Sequence, residues 1–122
     1  MRSHRDLVVW QKAMDLVDLV YLLARSLPVE EMYGLRSQMT RAAVSVPANI
    51  AEGQTRATSK DFANFLVTAR SSLMELETLM MVAVRQRYFK QDSADPLMSK
   101  ITELSKMLTV LRARVLQGHR RE

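Results

Sequence analysis

Arg41, Ser45, Asn49 and Glu52 follow one another at steps of four, four and three residues. A helix would therefore carry a guanidinium, a hydroxyl, an amide and a carboxylate on one face. Ser72, Glu75 and Thr78 form a second polar line at steps of three. Groups of these types can bind a polar ligand. If Glu52 and Glu75 shared an open cleft with raised pKa values, they could also act as an acid–base pair. The competing arrangement pairs Arg41 with Glu52 or Glu75 and uses Asn49 to bridge carbonyls freed by Pro47. Arg41, Asn49, Glu52, Ser72 and Glu75 would then be a structural network that fixes register and packing. The residues around this face are small, so another helix or subunit could approach closely.

Other chemistry finds little support. With no cysteine in the chain, thiolate catalysis and disulfides are excluded. His4 and His119 stand near opposite termini without the spacing of a metal site, so no metal is expected. Neither histidine is placed to activate a serine, and Gly34, Gly53 and Gly118 make no phosphate-binding loop. The sequence reads as a non-enzyme without a cofactor.

Positive charge is the remaining chemical asset. A net charge of +5 and a pI near 10.0 favour polyanionic partners, RNA or DNA above all. The candidate nucleic-acid-binding residues are Arg36, Arg56, Arg85, Arg87 and Lys90. Tyr88 and Phe89, set among the last three of these, could stack on unpaired bases or cover the end of a core.

These residues belong to a chain that reads as helix throughout. A first helix from about Val8 to Ser26 has Trp10, Met14, Val17, Tyr21 and Ala24 as its stripe. Ala13, Leu16, Val20, Leu23 and Leu27 widen it. Leu22 lies in line with the polar face, a hint of a subunit contact. Leu27 to Glu31 forms the first connection, and Glu30 and Glu31 suit the positive end of helix two. Helix two buries Leu35, Met39, Ala42, Val46, Ile50 and Gly53, and Pro47 should kink it or break it in two. Gly53 can close it, with Thr58 or Ser59 capping helix three from about Lys60 to Tyr88. Gln91 to Pro96 reads as the last turn, with Asp95 or Ser93 as cap. Leu97, Ile101, Leu104, Leu108, Leu111 and Val115 then form a heptad seam, and residues 117–122 a frayed tail.

Short connections between four such helices predict an all-α, antiparallel up-down-up-down four-helix bundle, one domain spanning residues 1–122. No apolar run is long enough to span a membrane, and the N-terminus lacks the apolar region of a secretory signal, so the chain is read as cytoplasmic. Nine methionines, Met74, Met80, Met81 and Met98 among them, are more than one core stripe needs and favour a self-association surface.

The segments Trp10-Gln11-Lys12-Ala13, Tyr33-Gly34-Leu35, Arg41-Ala42-Ala43 and Pro47 to Gly53, followed by Ser72, Glu75 and Glu77, carry a resemblance. From Leu7 to about Met81 the chain resembles the four-helix-bundle proteins encoded by intervening sequences of bacterial 23S ribosomal RNA genes. The fourth helix matches only in character. The resemblance implies a bundle that assembles into a homo-oligomeric ring of five subunits. A related branch, the accessory protein of diversity-generating retroelements, is a basic barrel that partners a reverse transcriptase and nucleic acid. No catalytic residues come with the family. The resulting expectation is a non-enzymatic oligomer that binds RNA or a nucleic-acid complex. The alternative is a structural adaptor with a protein partner, its basic charge incidental.

Overall fold

The computed structural model describes residues 3–118. Among them there are four α-helices and no strand: α1 (Val8–Ala24), α2 (Leu35–Gln54), α3 (Ser59–Arg85) and α4 (Gln91–Leu116). Helices adjacent in sequence pack on each other, and α1 also touches α4, a pattern consistent with a four-helix bundle. One hydrophobic core draws on all four helices, from Leu7 to Val115. No helix is long and apolar enough to cross a membrane among the described residues.

The apolar spacing puts most of the expected side chains in this core, with one rotation. Val9, Ala13, Leu16, Val20 and Ala24 are the buried face of α1. Trp10 and Val17 are only half-buried, while Met14 and Tyr21 are exposed. The stripe read from the sequence thus lies on the flank of α1, about one helical position from the core. Thirteen apolar residues in this helix leave its periodicity ambiguous, and only contact with α2 and α4 sets the phase.

Neither Pro47 nor Pro96 breaks its helix. α2 runs unbroken through Pro47. α4 begins at Gln91, so Gln91 to Pro96 is its first turn and a half rather than a connection. Lys90, not Asp95 or Ser93, holds the N-cap position. Pro96 is exposed, and Asp92, whose carbonyl it would have bonded, is exposed too, so water can serve that carbonyl. Buried Phe89 and Ala94 prolong the apolar seam upstream of Leu97, which favours the longer helix. The α3–α4 connection is consequently Gln86 to Lys90.

The contact between α2 and α3 is the most extensive in the molecule. The two run past each other in opposite senses: Glu31, just before α2, meets Tyr88, Ser45 meets Ser72, and Gly53 meets Phe62 and Phe65. Gly53 does not close α2, which ends at Gln54 with Thr55 as its C-cap. Its missing side chain instead admits α3: a Cβ there would lie 2.6 Å from the Phe65 Cβ and 3.0 Å from the Phe62 Cδ1. Thr58 caps α3, its Oγ accepting the Asp61 N–H at 3.1 Å. Of the expected tail, Gln117 and Gly118 form a turn, and the rest lies outside the described residues.

Gly53→Ala should force these helices apart and cost about 1–3 kcal/mol, as over-packing does elsewhere. Denaturant unfolding with an unchanged m-value would report it; a loss below about 0.5 kcal/mol would mean that the Phe65 side yields freely.

Candidate functional site

The polar face of α2 and the polar line of α3 meet in a cleft of about 270 Å³ lined by Gln38, Arg41, Ala42, Ser45, Ser72 and Glu75. At its floor the Ser45 and Ser72 hydroxyls are 2.8 Å apart. Asn49 Nδ2 donates to the Ser45 carbonyl at 2.8 Å and to its hydroxyl at 2.9 Å. Ser72 also donates to the Thr68 carbonyl at 3.2 Å. Asn49 therefore serves the carbonyl of Ser45, not that of Ala43, which Pro47 deprives of its donor. Helical side chains lean toward the N-terminus, and from position 49 the amide reaches one turn back, to position 45.

The expected Arg41 pairs do not form. Glu52 lies 11 residues along α2 from Arg41, about 16 Å at helical rise, and pairs at 3.6 Å with Arg56, one turn beyond it. Glu75 shares the cleft with Arg41 but makes no direct ion pair with it. Both are exposed, and water competes effectively for such charges. The two carboxylates considered for acid–base work are thus separated: Glu75 lines the cleft and Glu52 does not. What the cleft offers is an exposed guanidinium and an exposed carboxylate above an internally bonded amide–hydroxyl floor. No group of three or more metal-ligating side chains occurs among the described residues.

The candidate cations divide between the two ends of the helix pair. Arg56 lies beyond the C-terminus of α2, its guanidinium 4.6 Å from the Phe65 ring centroid. That stacking, with the Glu52 contact, makes it part of the α2–α3 junction. Arg36 starts α2, while Arg85, Arg87 and Lys90 surround the α3–α4 turn. These four share one end, because Tyr88 in the turn donates to Glu31 Oε2 at 2.9 Å. The other Glu31 oxygen accepts the Leu35 N–H at 3.1 Å and caps α2. Gly34 leaves room for it: a Cβ there would be 2.5 Å from that oxygen.

Local backbone chemistry explains the turn. Tyr88 N–H bonds the Ala83 carbonyl and Arg87 N–H the Val84 carbonyl, both at 2.9 Å, the paired bonds of a Schellman motif. Arg87 occupies the left-handed position with φ 66°, where glycine is usual. The motif turns the chain back so that Phe89 is buried and Tyr88 half-buried. Phe89 therefore covers the core end, while the half-buried Tyr88 is tied at its hydroxyl to Glu31. The Tyr88–Glu31 bond, between residues 57 apart, has no local sequence signal.

From the sequence alone Arg70 and Arg112 had no binding role. They border a groove of about 380 Å³ between α3 and α4, with Leu66, Val67, Met74 and Leu108 as apolar lining. The available signal was a lack of acids: none occurs from Phe62 to Met74 or from Leu104 to Gly118.

Arg87→Gly should raise stability by up to about 1 kcal/mol, the left-handed penalty of about 1–2 kcal/mol less glycine's greater unfolded freedom. Thermal melts test it, and a lower Tm would show that the Arg87 side chain itself stabilises the turn. The hydrogen bond to Glu31 raises the Tyr88 pKa above 10.0, helped by desolvation and by the nearby Glu31 and Glu30 charges. A folded pKa above the unfolded one gives stability that is complete below about pH 10 and lost as pH rises through the folded value. The stability advantage of wild type over Tyr88→Phe should therefore shrink above about pH 10; a constant difference would exclude the phenol's titration as its source.

Comparison with known proteins agrees with this helical architecture. The family model described as 23S rRNA-intervening sequence protein matches residues 5–110, well into α4. A crystal structure of a protein with unknown function from the S23 ribosomal protein family of Bacteroides thetaiotaomicron is similar. It has a TM-score of 0.79 and 25% sequence identity over 86% of this chain and 98% of that one. No curated protein matches the chain. With its signature segments packed along α1, α2 and α3, the chain belongs to the 23S rRNA-intervening sequence protein family.

Proposed function

We propose that the chain is a non-enzymatic homo-oligomer, a ring of five by family resemblance, that binds RNA or a nucleic-acid complex. In this reading the helices form an antiparallel up-down-up-down bundle in one cytoplasmic domain, with α2 bent at Pro47. The observation that carries the binding role is the gathering of Arg36, Arg85, Arg87 and Lys90 at one end, none in a direct ion pair among the described residues. Cations without carboxylate partners are available to phosphates, and repetition around an oligomer would make weak contacts collectively tight. Arg56, held by Phe65 and Glu52, serves the fold instead.

A second reading, an adaptor that binds protein, draws support from exposed apolar side chains. Met14, Tyr21, Leu22 and Met81 are each at least 41% exposed. Glu30, Asp92 and Asp95 near the cationic end also dilute its positive potential. In that case a reverse transcriptase or another protein, rather than RNA, would be the partner of the assembled chain.

Labelled single- and double-stranded RNA titrated across a salt series separates the two. Binding should weaken steeply with salt, and Arg85→Ala or Lys90→Ala should each lower the salt slope by about one unit without altering sequence preference. An intact oligomer that ignores both RNAs near physiological salt would leave the protein adaptor as the function.

A further inference from the structure

The groove between α3 and α4 is apolar inside and cationic at its border. Val67 and Met74 in it are 43% and 39% exposed. Arg70 Nε donates to the Ser105 hydroxyl at 3.1 Å, and neither Arg70 nor Arg112 meets a carboxylate among the described residues. No aromatic ring lines the groove, so unpaired bases would have nothing to stack on. Its chemistry suits a helix that offers apolar side chains flanked by carboxylates.

The outer face of α1 has that composition. Asp15, Asp18 and Leu22 follow at steps of three and four and are all exposed. Tyr21 and Met14 flank them at 44% and 41% exposure, and Leu22 at 59% is the most exposed leucine among the described residues. Between Lys12 and Arg25 the helix has no cation, and Lys12 already pairs with Glu103 of α4 at 3.0 Å. Neither aspartate has a partner among the described residues.

We propose that the outer face of α1 in one copy docks into the α3–α4 groove of a second copy. Tyr21 and Leu22 cover Val67 and Met74, while Asp15 and Asp18 oppose Arg70 and Arg112. The inference rests on the homo-oligomer reading above and assigns its contact. Because the two surfaces differ, the contact is head-to-tail, and each copy offers both halves. Opposite charge sets the orientation, and the apolar centre supplies most of the affinity.

Charge reversal tests the pairing by sedimentation velocity, with circular dichroism to check helix content. Wild type should sediment as a multiple of 14.0 kDa. Arg70→Glu with Arg112→Glu should raise the dissociation constant at least about tenfold, and so should Asp15→Arg with Asp18→Arg. Combining all four substitutions should restore assembly, which also shows that both halves fold. The milder pair Arg70→Gln and Arg112→Gln should weaken assembly less than the glutamates do. If wild type assembles and the double variants do so equally well, the contact lies elsewhere and this pairing is overturned, leaving the oligomer reading intact. Dissociation without rescue in the four-fold variant overturns it as well. A monomeric wild type overturns the oligomer reading and this contact together.

Discussion

The close approach of α2 to α3 is the constraint on which the remaining structure depends. Three kinds of contact hold it along about 30 Å of α2. At one end Gly53 lets the backbone meet Phe62 and Phe65, with the Arg56 guanidinium over the Phe65 ring. Midway the Ser45 and Ser72 hydroxyls bond across the gap, and at the far end Tyr88 ties the α3–α4 turn to Glu31. Packing at this distance demands small residues on α2, and Ala42, Ala43, Ser45 and Gly53 meet that demand. Small side chains bury little apolar area, so directional bonds take a larger share of holding this pair in register.

The same constraint explains why an unusual helix sequence persists through Pro47. A proline at this position removes one backbone bond, yet Ala43, Val46, Pro47 and Ile50 are all buried against neighbouring helices. Burial holds the segment helical where propensity alone would end it. Asn49 then closes a side-chain bond onto the preceding turn and onto Ser45, which is itself bonded to α3. The local oddities of α2 thus become one bonded group spanning two helices.

How far the sequence could be read follows from the range of the interactions involved. The four helices, the α4 seam and the Thr58 cap depend on local periodicity and were legible. The phase of α1 was not, because an apolar-rich helix offers several equivalent stripes and only its neighbours choose. Pro96 misled because a proline six residues into a helix costs little where the freed carbonyl faces water. The end of α3 at Arg85 was hidden by an arginine doing the work of a C′ glycine. Charge was countable in the sequence, but its availability was not. Arg56 is drawn into the α2–α3 junction by Phe65, and Arg41 stays unpaired because Glu52 lies three turns away. Arg70 and Arg112, 42 positions apart, meet at one groove only once α3 and α4 have packed.

The placement of these charges also bears on whether self-association and polyanion binding would compete. Arg70 precedes Arg85 by 15 residues on α3, about 22 Å at helical rise, more than two Debye lengths at physiological salt. Neutralising the groove would therefore leave the potential at the α3–α4 turn almost unaltered. Arg85, Arg87 and Lys90 at that turn are exposed and do not line the groove, so covering the groove would leave them open. If copies assemble through the groove and a polyanion binds at the turn, as proposed, the two contacts would draw on separate sets of arginines. The chain's salt sensitivity should then separate into two transitions, since contacts buried in an interface are screened less than exposed ones.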